Sequence, residues 1–279
     1  MRRALAFFAM AAASLAAWAV YERAHGPVAG PLPSVLPHVV RTPPALRAGF
    51  AAPEAAANPG EEVRRLHARG LTGRNIGIAI IDGPLLTQHR EYADRLRWYD
   101  EIDVAPGDPA RWHATAVASI AAGSTVGVAP DADLYFVGLG MIWSREPLGN
   151  LLVAFRRAAH TGMPIPLAIR RILEMNRRLP PDRKIRAISM SVGGGSGLLA
   201  AIAEARRAGI FVSALDLHPG RLGPVTVASP AGPDAYTTFK EPAVSWAIAY
   251  WAGRYALACQ EDPSMTPERF LKTMRKAPR

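Results

Sequence analysis

"NIGIAIID", residues 75–82, is a short apolar run that closes on a carboxylate. It is rich in the β-branched residue Ile and lacks the alternating polar positions of a strand with one face in water. It therefore reads as a strand buried on both faces of a parallel sheet. Three later runs share that character: "ADLYFVGL" at 132–139, "KIRAISMSV" at 184–192 and "IFVSAL" at 210–215. Helical patterns separate them. "EEVRRLHARG" at 61–70 stops at Gly70, "HATAVASIAAG" at 113–123 closes on Gly123, and two longer segments cover about 148–160 and 164–178. "GLLAAIAEARRAG" at 197–209 is a further helix with a glycine stop. Apolar strands alternating with helices predict an α/β fold, with a doubly wound, mostly parallel sheet covered by helices on both faces.

The chain has 279 residues, 49% hydrophobic and 20% charged, a composition that can bury a sizeable core. Its formal charge of +10 comes mostly from arginines scattered through helical segments, with no basic stripe interleaved with aromatics, so no nucleic-acid partner is expected. The single cysteine, Cys259, excludes an intramolecular disulfide and reads as a small buried hydrophobe.

Met1-Arg2-Arg3 precedes the apolar run "ALAFFAMAAASLAAWAV" at 4–20. Residues 1–25 are thus expected to be a signal peptide, with "AWA" at 17–19 offering a cleavage site, or a retained membrane anchor. Either outcome places the remainder beyond the cytoplasmic membrane, and an uncleaved helix would make the membrane itself a partner. Residues 26–60 are rich in Pro, Ala and Gly and read as an extended linker, leaving 61–279 as the folded domain. No Gly-rich phosphate loop or HExxH pattern is present. The acids Asp100, Glu101, Asp103 and Asp108 lack calcium-loop spacing and are expected in a surface loop. No metal or cofactor is expected, and oligomeric state is not encoded legibly.

Three residues carry candidate chemistry. Asp82 closes a buried strand, where sites form in open parallel sheets, although an Asp there also caps turns. His113 opens a helix of small residues, although a histidine taken alone is more often structural. Ser245 heads "AVSWAIAYWAG" (243–253), and taken alone it reads as a helix N-cap.

Their order and surroundings resemble the subtilisin-like serine peptidases (subtilases) from about residue 62 to 275. "VRRLHARGLTGRNIGIAIIDG" is similar to that family's helix, turn and first catalytic strand. "HATAVASIAAG" and "VGVAPDADLYFV" (126–137) resemble its histidine helix and the following strand, "AISMSVGGG" (187–195) its substrate-pairing strand, and "SWAIAYWAGRYALACQEDPSMTPERFLKTM" its nucleophile helix and C-terminal tail. The resemblance implies a catalytic triad of Asp82, His113 and Ser245, and a peptide or protein substrate paired along Ser191, Val192 and Gly193. The family's oxyanion-binding Asn has no counterpart in "FVSALDLHPG" (211–220), where Asp216 is the nearest polar candidate and could donate only when protonated. Two functions follow: a serine endopeptidase acting outside the cytoplasm, or a catalytically silent relative that binds peptides in the same cleft. A non-peptidase serine hydrolase is disfavoured, because a G-x-S-x-G elbow is absent and the order of the three residues differs.

Overall fold

A computed structural model describes residues 59–104, 109–140, 164–193, 197–215 and 220–274. The segments expected as signal or anchor (1–25) and almost all of the linker (26–60) lie outside these residues, as does the helix expected at 148–160. Among the described residues no helix is long and apolar enough to cross a membrane.

The chain enters through helix α1 (Glu61–Ala68), whose end turns at Gly70 with φ +82°, a conformation that glycine adopts without a Cβ penalty. Strand β1 (Gly77–Asp82) follows and is buried along its whole length. Then come β2 (Leu96–Ile102), α2 (Trp112–Ala122), β3 (Asp133–Leu139), α3 (Pro164–Arg178), β4 (Ile185–Met190), α4 (Leu198–Arg207) and β5 (Phe211–Ala214). The five strands form one parallel sheet in the order β2-β3-β1-β4-β5. An antiparallel hairpin, β6 (Val225–Ala228) and β7 (Tyr236–Phe239), precedes the long helix α5 (Val244–Glu261) and the short α6 (Pro267–Met274).

Two apolar layers sandwich the sheet, as a doubly wound fold requires. One joins α2 and α5 to Ile78, Ile80, Leu134 and Phe136; the other joins α3 and α4 to Ala79, Ile81, Val137 and Ile188. Neighbouring residues of β1 thus face opposite layers, which is why its sequence shows no polar alternation. On the first layer α2 and α5 pack directly on each other. A Cβ at Gly253 would stand 2.6 Å from Val128 Cβ and 2.9 Å from the Ala121 carbonyl, so only a glycine permits this approach. Cys259 is buried on the same layer, and burial pushes its thiol up to about 11.

Two expectations are corrected. Asp100 and Glu101 belong to strand β2, not to a loop: they pair with Val137 and Gly138 of β3. An edge strand leaves one side open, so "LRWYDEI" can carry charge that a central strand could not, and Asp100 takes a 2.6 Å ion pair from Arg171 of α3. Asp103 follows the strand with φ +56°, and Asp108 lies outside the described residues. Second, Ser245 does not cap its helix. Ala243 occupies the cap position in extended conformation, no side chain caps the end, and Ser245 is the second helical residue.

Candidate active site

Parallel sheets collect functional groups where strands end and order reverses. Here β1 is flanked by β3 and β4, and its last residue is Asp82. The carboxylate is 3% exposed, a costly position for a charge unless its oxygens are bonded. They are. Oδ1 accepts the Gly83 backbone N–H at 2.8 Å, and His113 Nδ1 stands 2.9 Å from Oδ2 and 3.1 Å from Oδ1.

His113 reaches this position because α2 starts one residue earlier and packs on β1, an approach its many small residues allow. With Nδ1–H donated to the carboxylate, Nε2 is left as the acceptor on the far side of the ring. About a quarter of the His113 side chain is exposed.

The imidazole lies against the start of α5. Its ring stacks on Trp246 with centroids 5.6 Å apart and planes 28° apart, so the residue beside Ser245 carries the histidine on its face. Ser191 closes the other flank, with its hydroxyl 3.5 Å from the Ser245 carbonyl. Ser245 is therefore grouped with His113 and Ser191 at the ends of β1 and β4. Among the described residues its hydroxyl makes no hydrogen bond. Its N–H is in the first helical turn, where backbone donors lack helical partners and the helix dipole favours negative charge.

β4 itself is a central strand, laddered to β1 and β5 as far as Met190. Ser191, Val192 and Gly193 run on past that last pair, beside Leu215, whose side chain lies 3.6 Å from where a Cβ on Gly193 would stand. Asp216 lies outside the described residues.

Sequence reasoning missed the aromatic packing around the histidine. Trp112, Phe239 and Trp246 touch one another, with centroids 5.2–6.0 Å apart. A signal was available: Trp112 immediately precedes His113 and Trp246 immediately follows Ser245. It also missed a buried polar knot around Glu91. Glu91 is fully buried and accepts from Thr125 N and Oγ1, Val126 N and the Tyr236 hydroxyl, tying the hairpin to the end of α2. Gln260 of α5 likewise accepts from Thr72 N and Gly73 N, anchoring the turn before β1.

The sequence model of the subtilase family matches residues 73–232, more than half of the chain. The chain belongs to the subtilase family. Serine-type peptidase chemistry is thus its general class. The match includes Asp82 and His113 and stops short of Ser245. Among solved structures, this subtilase is similar in fold to a cold adapted subtilisin-like serine proteinase: identity is 17%, TM-score 0.51, and the alignment covers 72% of this chain and 81% of the other. No curated protein matches it.

Proposed function

We propose that this subtilase is a serine endopeptidase in which Asp82, His113 and Ser245 act as the triad. The observation that carries the reading is the buried Asp82 carboxylate bonded to His113 Nδ1, which leaves Nε2 as the nitrogen available to act as base. Ser245 Oγ attacks the scissile carbonyl and passes its proton to Nε2. The imidazolium, stabilised by Asp82, returns that proton to the leaving amine, and water then hydrolyses the acyl-enzyme by the same route. The Ser245 N–H at the start of α5 supplies one donor to the oxyanion, and a protonated Asp216 supplies the second in place of the family's Asn. The substrate chain pairs along Ser191–Gly193 beyond the end of β4. The arginine-flanked apolar N-terminus supports a reaction outside the cytoplasm, with residues 1–25 as export signal or anchor.

A second reading, a silent peptide-binding subtilase, draws on a Ser245 hydroxyl without a hydrogen bond among the described residues and on the lack of the family's Asn in 211–220. Fluorophosphonate labelling separates the two: wild type is expected to label and Ser245→Ala is not. Absence of Ser245-dependent labelling overturns the peptidase. In an active enzyme, Asp216→Ala is expected to remove turnover that grows toward acid pH; an unchanged profile removes Asp216 from the oxyanion site.

A further inference from the structure

Trp112 is an exception to the burial pattern around His113. It is 52% exposed, among the largest apolar side chains left in water in the described residues, yet it stands at the first helical position of α2 directly against the imidazole. Its ring meets His113 edge-on at 5.4 Å, Phe239 at 5.2 Å and Trp246 at 6.0 Å. Phe239 in turn packs on Trp246 at 5.2 Å, and Trp246, 3% exposed, carries the stacked histidine. Three elements, α2, β7 and α5, thus each contribute one ring to a continuous aromatic wall that ends on the imidazole. A ring whose only task was to cover His113 would be buried by its neighbours. Trp112 instead keeps about half its surface in solvent, an apolar area whose covering is favourable.

The reaction chemistry says which part of a substrate comes here. His113 delivers its proton to the departing nitrogen, so the residue bearing that nitrogen is the one carried up to the imidazole and the wall that flanks it. The edge beyond β4, built from Ser191–Gly193 and Leu215, is formed by other elements and is left to the chain on the acyl side.

We propose that Trp112, Phe239 and Trp246 form an aromatic subsite for a large apolar side chain, best an aromatic one, on the first substrate residue after the scissile bond. This deepens the peptidase reading and rests on it. Ring-on-ring contact together with the area it covers corresponds to about a tenfold preference for Phe over Ala at that position.

Two measurements on the full chain test it. Cleavage of a randomised peptide mixture, mapped by mass spectrometry, is expected to show about tenfold enrichment of Phe, Tyr, Trp or Leu over Ala immediately after the cut. Trp112→Ala is expected to erase that enrichment while the preference before the cut persists, and Trp112→Phe to keep part of it. No enrichment in wild type, the same enrichment in Trp112→Ala, or an effect confined to the residue before the cut overturns the subsite.

The second measurement needs no turnover. Peptides that mimic the leaving product, with a free N-terminal Phe or Ala and a C-terminal fluorescein, are titrated with the protein and followed by anisotropy. The Phe peptide is expected to bind about tenfold tighter to wild type and no tighter to Trp112→Ala. Equal binding of the two peptides to wild type overturns the subsite, whereas failure of Ser245-dependent labelling overturns only the peptidase.

Discussion

The Asp82–His113 end of the site is pinned by directed bonds between the side chains themselves, whereas the Ser245 side chain is placed mainly by the packing of its helix. Asp82 has a backbone donor and an imidazole on its two oxygens, and each bond specifies an angle as well as a distance. Ser245 has no bond to its hydroxyl among the described residues; it rides on a helix held by alanines and Gly253 against α2. The contrast teaches where each half is vulnerable. Directed bonds fail through a change of one atom, and packing fails through a change of volume.

The largest effect is expected from Asp82→Asn, which alters one atom group at the bonded end. Oδ1 is held by the Gly83 N–H, so the amide of Asn would face His113 Nδ1 and force the proton onto Nε2. The base would then be lost with the geometry intact, and turnover of a peptide substrate should fall by about 10⁴-fold. A fall of less than tenfold would mean that this contact is not catalytic.

At the packed end, Gly253→Ala should leave the chemistry alone and cost stability. The added methyl meets Val128 and the Ala121 carbonyl, and overpacking of this kind costs about 1–3 kcal/mol. Denaturant melting reads the loss, and an unchanged midpoint would show that α2 and α5 can separate without penalty.

The smallest expected effect concerns His89, which is packed between Tyr92 and Tyr236 of the hairpin. It is fully buried; Nδ1 accepts the Glu91 N–H at 3.2 Å, so Nε2 donates to the Ala235 carbonyl at 2.9 Å. Burial holds its pKa below the ordinary histidine value. Because the folded state binds the proton less readily than the unfolded chain, this contribution is complete above the ordinary value near 6.5. It is lost as pH falls from there through the lower folded value. Thermal melting should therefore decline on acidification, with a shallower slope in His89→Gln. Identical slopes would remove His89 from the pH response.

Most of the parallel sheet was legible because its strands are buried on both faces and so announce themselves as apolar runs; β1, β3, β4 and β5 all lie within the expected segments. β2 was not, because an edge strand with "WYDE" in it satisfies its charges from solvent and from Arg171, and no period in the sequence separates that from a loop. The hairpin was missed for a related reason. The exposed middle of β7, Thr237 and Thr238, has the look of a turn until Thr226 is opposite Thr238.

The sequence by itself determined the residue types and their order: an acid at the end of a buried strand, a histidine and a serine each near the start of a small-residue helix, and glycines where helices stop. Those follow from local rules of burial, period and backbone freedom. Only the tertiary structure decided which nitrogen of His113 is tied to Asp82. It alone placed the helix start at Val244, leaving the Ser245 hydroxyl without a hydrogen bond among the described residues, and set Trp112, Phe239 and Trp246 as one wall against the imidazole. Those depend on residues brought together from positions 82, 113, 239 and 246, and contacts across such separations are fixed by how helices and sheet pack, which no local pattern records.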